Sequence, residues 1–162
     1  MKKITYFLLI ASIAFCSCSG SFSKGTKKDM TTGLSTNYNG FSIDDVYLAD
    51  ADGNRLQNNE VKLGTSFMVV VTGVENYQQK DNKVFPGCQI ILSDKNKKEL
   101  LNLPDAFAEQ QGLPASEAST LKATLNTGSP MVSGETYNIS IRFFDKQKKE
   151  NEIISTAQII AK

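Results

Sequence analysis

The sequence predicts an all-β chain: one β-sandwich of about seven strands over residues 38–162, behind an N-terminal export segment and a polar linker. Three observations predict it. Short runs rich in Val, Ile, Phe, Tyr and Thr recur roughly every 10–20 residues. Several of these runs alternate apolar and polar side chains with the period of two of a half-buried strand. The segments between them are Asp-, Asn- and Gly-bearing turns. Roughly 120 residues of such texture suffice for one core and not for two. A small β-barrel is the alternative arrangement of the same strands.

The strands expected in chain order are residues 41–50, 67–77, 88–93, 99–101, 120–126, 136–144 and 152–160. In the first, Phe41 and Ile43 fall out of phase with Val46 and Leu48 across Asp44-Asp45, so a bend or bulge is expected there. Met68-Val69-Val70-Val71 is apolar on both faces and reads as a central strand covered on both sides, the second cover being a sheet or a loop. The clearest strand is 136–144. Tyr137, Ile139, Ile141 and Phe143 share one face, and Thr136, Asn138, Ser140 and Arg142 share the other. Asp50-Ala51-Asp52-Gly53-Asn54, Asp94–Lys98 and Asp145–Lys149 read as Asp-initiated turns. The longer connection 102–119 suggests a short helix near 104–111, with Pro104 in its first turn, Gly112 past its end and Phe107 anchoring it to the core.

Ahead of the β-rich part, Lys2 and Lys3 precede the apolar run Ile4–Phe15, and Cys16-Ser17-Cys18 follows. A basic start, a short apolar stretch and a small-residue cleavage zone make an export signal. The run is too short for a spanning helix, which needs ~20 residues. Ser17 before Cys18 resembles the lipobox of bacterial lipoproteins, in which the cysteine is diacylated and becomes the new N-terminus. Ser17 is small where Phe15, ahead of Cys16, is bulky, so Cys18 is the preferred lipidation site. Phe15 also departs from the Leu usual three residues ahead of that cysteine. The resemblance divides the chain into a signal peptide (1–17), a lipidated, disordered tether (18–37) and the β-domain (38–162). Ser19 in place of Asp implies the outer membrane. Residues 19–28 hold Lys24, Lys27 and Lys28 but no acid, which implies its periplasmic face. The alternative is an ordinary secretory signal cut near residues 17–20. Residues 19–37 are polar, without apolar periodicity, and read as a flexible linker. At ~5–6 Å × √n, such a linker reaches roughly 25 Å.

Composition narrows the chemistry. The chain has 18 basic and 17 acidic side chains, and loss of Lys2 and Lys3 with the signal turns its formal charge from +1 to −1. Bulk electrostatics therefore point away from nucleic acid. There is no histidine, which excludes Ser-His-Asp and Cys-His catalysis and removes the commonest zinc ligand. Cys88 is expected to be a buried hydrophobe, since no Lys or Arg adjoins it in sequence to lower its pKa. Asp44, Asp45, Asp50, Asp52, Asn54 and Glu60 form an acidic cluster. Counted from Asp50 as a calcium loop, however, glycine falls fourth and the twelfth residue is Val61, so the EF-hand pattern fails. No cofactor and no metal are expected.

The loop 76–87 carries Tyr77 and Phe85 near its ends among Asn, Gln, Asp and Lys, a composition suited to contacting a sugar or peptide. Ser133-Gly134-Glu135-Thr136-Tyr137 resembles the tyrosine corner of immunoglobulin-like domains, and the resemblance implies that architecture for residues 38–162. Ile139 stands where antibody domains carry Cys, and the chain has no Trp, so the antibody-type core is not expected. The functional expectation is a non-enzymatic binding or accessory lipoprotein, held to the membrane through lipid on Cys18, with an envelope protein, peptide or glycan as partner. A structural envelope or pilus-like subunit is the alternative, using an edge strand or the terminal strand. A hydrolase without histidine is a distant third.

Overall fold

The computed structural model describes residues 23–162. The expected export segment (1–17), the expected lipidation site Cys18 and residues 19–22 lie outside the described residues. Ten strands form: β1 (Lys24–Asp29), β2 (Leu34–Asn39), β3 (Asp45–Asp50), β4 (Glu60–Val61), β5 (Ser66–Thr72), β6 (Pro86–Asp94), β7 (Glu99–Leu103), β8 (Thr120–Asn126), β9 (Thr136–Asp145) and β10 (Lys148–Ala161). Two sheets face each other. The larger runs β1-β2-β10-β9-β6-β7, and the smaller runs β3-β5-β8. Pairing is antiparallel throughout except for β4, which lies parallel to the end of β10. The β-sandwich is thus as expected, with ten strands rather than seven.

The alternating strands deliver the core. Tyr137, Ile139, Ile141 and Phe143 of β9 point inward beside Ile153, Ala157 and Ile159 of β10 and Cys88, Ile90 and Leu92 of β6. They meet Val46 and Leu48 of β3, Phe67, Val69 and Val71 of β5, and Leu121, Ala123 and Leu125 of β8. The second cover of β5 is partly a loop. Val70 is buried between Tyr47 and Lys122, its register partners, while Arg55 and Leu56 fold back along β3 through backbone bonds. The phase change at Asp44 is a bend that precedes β3.

Two expectations are corrected. Residues 24–37 are not a disordered tether: β1 and β2 form a hairpin docked on the edge of β10. Few side chains in it are apolar, but the exposed edge of β10 supplies backbone partners. Leu34 and Thr36 point into the core fully buried, where Thr36 Oγ1 shares a 2.8 Å hydrogen bond with Ser155 Oγ. Residues 104–111 form turns instead of a helix, because Asp105 Oδ1 accepts the N–H groups of both Cys88 and Phe107 and ties the segment to β6. Phe107 still packs on the core, 6.2 Å from the Phe143 ring. Among the described residues, one 3₁₀ turn spans Glu117–Ser119.

The expected tyrosine corner is present: the Val132 N–H donates to Tyr137 Oη at 2.7 Å. The three Asp-initiated turns also form. Asp50 Oδ1 accepts from the Asp52 and Asn54 N–H groups, Asp94 Oδ1 from Asn96 and Lys98, and Asp145 Oδ1 from Gln147. The terminal strand β10 pairs on both sides within its own chain, between β9 and β2.

Candidate binding face

The loop singled out in the sequence is built as structure. Lys80–Lys83 closes a tight turn in which Asp81 and Asn82 both take positive φ, the type I′ geometry Asp and Asn tolerate. Tyr77 turns toward the core. Its ring meets Phe41 edge-on at 4.8 Å, and its hydroxyl donates to Ala118 O at 3.1 Å. Burial, helped by the nearby Asp145, pushes its phenol pKa well up. One flank of Tyr77 lines a groove of about 400 Å³ with Glu75, Asn76, Gln79, Ser116 and Ser119. Phe85 is not part of that groove. It lies over Gly112, where a Cβ would stand 2.6 Å from the ring. The two aromatics therefore do not converge on one ligand.

Other sequence candidates resolve similarly. Cys88 is fully buried, and burial, then Asp105, pushes its thiol up to about 12, so it stays protonated. The acidic cluster disperses. Asp45 pairs with Arg55, Asp50 is held by Asn54, which draws its pKa down, and Glu60 pairs with Lys162. Among the described residues no group of three or more His, Cys, Asp or Glu side chains is placed to hold a metal ion.

The outer face of the larger sheet carries many polar side chains. Cross-strand register sets its side chains in rows. One row reads Ser35, Thr156, Ser140, Ile91 and Asn102, and the next reads Thr26, Asn37, Ile154, Arg142 and Gln89. A third holds Gln158, Asn138 and Ser93. At a strand spacing of about 4.8 Å, hydroxyls and carboxamides recur along these rows, interrupted by Ile91, Ile154 and Arg142. Two shallow grooves cross this face. One, about 370 Å³, is lined by the polar Ser35, Ser93, Asn138, Ser140, Thr156 and Gln158 together with Gly33, Ile91, Ile139 and Ala157. The other, about 520 Å³, is lined by Thr26, Asn37, Asn39, Glu152 and Ile154. Between them Arg142 Nε donates to Glu152 at 2.7 Å, and the guanidinium lies 4.8 Å from the Phe144 ring centre. The first groove is uncharged and sets donors and acceptors beside apolar surface from Ile91 and Ala157. That chemistry suits a neutral, hydroxyl- or amide-bearing ligand. The signal was visible in the sequence as the polar alternate positions of 136–144, but which strands extend the row depends on sheet order.

No family model matches the chain, and no curated protein matches it. Among solved structures the chain is similar to a superoxide reductase (neelaredoxin) from Ignicoccus hospitalis, at 9% identity over 75% of this chain and 82% of that one, with a TM-score of 0.39. It is also similar to an AA10 lytic polysaccharide monooxygenase from Streptomyces lividans, at 10% identity over 68% and 62% of the two chains, with a TM-score of 0.37. A third is chicken MD-1 complexed with lipid IVa, at 11% identity over 86% and 98%, with a TM-score of 0.35. Likeness of this degree assigns no ligand, activity or family.

Proposed function

We propose that the chain is a lipid-anchored protein of the bacterial cell envelope with a non-enzymatic binding or accessory role. The observation that carries the anchor is the sequence Lys2-Lys3, the apolar run to Phe15, and Ser17-Cys18. Two acyl chains give stable membrane attachment where one is marginal. Ser19 favours the outer membrane, and the absence of acidic residues over 19–28 favours its periplasmic face. The binding role draws support from the outer face of the larger sheet, where neutral donors and acceptors line an open groove. The partner class that fits is a glycan or a peptide. Intact mass of the mature N-terminus tests the anchor: an acylated Cys18 is expected, and a free N-terminus near residues 17–20 refutes it. Pull-down from envelope extracts, comparing the wild type with Asn138→Ala/Gln158→Ala, tests the face. A partner retained equally by both places binding elsewhere.

A further inference from the structure

We propose that one end of the sandwich, formed by the loop 76–87 and the turn 145–149, sits directly against the anionic lipid surface that holds Cys18. The inference rests on the anchoring of Cys18 proposed above. A linker over 19–37 would lift the domain from the membrane, but the hairpin takes up most of that segment. Ser23 O already accepts the Gly40 N–H at 2.7 Å, and β1 begins at Lys24. Residues 19–22 alone separate Cys18 from Ser23. Five peptide steps, fully extended, reach no more than about 18 Å.

Hydrogen bonds fix which end meets the membrane. Gly40 packs so closely on Asn151 that no Cβ fits, and Asn151 Nδ2 donates to Asn76 O at 2.7 Å. Asn39 Nδ2 donates to Glu150 O, and the Gln78 N–H donates to buried Asp145 at 2.7 Å. Ser23, the loop 76–87 and the turn 145–149 therefore share one end. The opposite end, where β4 meets the end of β10, lies roughly 35 Å away along Asn151–Ala161. That is about twice the reach of the link.

The near end offers Lys24, Lys80, Lys83 and Lys149, all exposed and without an ion-pair partner among the described residues, with Lys148 half-buried beside them. Glu75, Asp81 and Glu150 lie among them, so the short link, not net charge, sets the orientation. The link, at most about 18 Å long, lets these lysines come within the Debye length of about 8–10 Å, where anionic head groups attract them. The strands then stand upright on the bilayer, and the outer face of the larger sheet opens sideways to a partner.

The acylated full-length mature protein, reconstituted in phosphatidylethanolamine–phosphatidylglycerol vesicles carrying a head-group quencher, provides the test. Fluorophores go on Gln79→Cys or Lys149→Cys at the near end and on Lys62→Cys at the far end. Buried Cys88 leaves each introduced thiol as the one labelled. Quenching several-fold stronger at Gln79 and Lys149 than at Lys62 is the expected result. Equal quenching, or stronger quenching at Lys62, in protein whose mass shows the acyl chains overturns the orientation alone. A mass without acyl chains on Cys18 overturns it together with the anchor.

Discussion

Tyr137 shows how much one side chain fixes in this fold. Its ring is buried, and its hydroxyl accepts the Val132 N–H, closing the turn that launches β9. Tyr137→Phe keeps the ring and loses the bond, so urea unfolding at unchanged slope should report a loss of about 1 kcal/mol. Asp105 does more. It accepts from two backbone N–H groups and pairs with Lys146 at 2.8 Å in a half-buried site. Asp105→Ala strands those donors and frees the turn 104–111, a loss of about 3 kcal/mol by the same measurement. Burial pushes the Asp105 carboxyl up, but Lys146 and the two N–H groups outweigh it and hold the pKa below the ordinary 3.8. Its contribution is therefore present in full above that value and is lost as pH falls through the lowered folded pKa. Wild type should show an acid-dependent stability loss below pH 3.8 that is smaller in Asp105→Asn. Cys88, with its thiol up at about 12, should resist alkylation in the native protein and react on unfolding.

At the level of elements, the N-terminal hairpin is the informative case. Its residues look like a linker because its strands, KGTKKD and LSTNYN, carry few apolar side chains. Strands need backbone partners and one covered face; β10 provides the partners, and the core between the sheets covers Leu34 and Thr36. The Thr36–Ser155 hydroxyl pair tests the docking. Thr36→Val alone leaves a buried hydroxyl without its partner and should cost about 1–3 kcal/mol, while Thr36→Val/Ser155→Ala should recover much of it. A coupling energy near zero in that cycle would mean that the hairpin is undocked in solution. The two edges of the larger sheet also differ. β1 carries Lys24, Lys27 and Lys28, which discourage edge pairing, whereas β7 presents the half-exposed Leu101 and Leu103.

Across the whole molecule, order in the hairpin shortens the stretch between the proposed lipid anchor and the folded domain, because chain expected to be linker is part of the sheet. Each of the seven strands expected from periodicity has a counterpart, though 41–50 is cut to Asp45–Asp50 and 67–77 to Ser66–Thr72; alternation at positions such as 137, 139, 141 and 143 depends on the chain alone. The Asp-initiated turns and the tyrosine corner were also legible, because each rests on contacts a few residues apart. β4 was not, since two residues carry no period. The roles of Tyr77 and Phe85 were not, because an irregular loop does not encode which way a ring faces. Nor was the polar groove, whose Ser35, Thr156 and Ser140 come from three strands made neighbours only by sheet order. The sequence by itself determined the β-rich texture, the inward rows and the turn chemistry, all set by local sterics and hydrogen bonding. Tertiary structure alone decided that residues 24–39 form a two-stranded hairpin and which strands share a face, because backbone pairing is satisfied between segments distant in sequence.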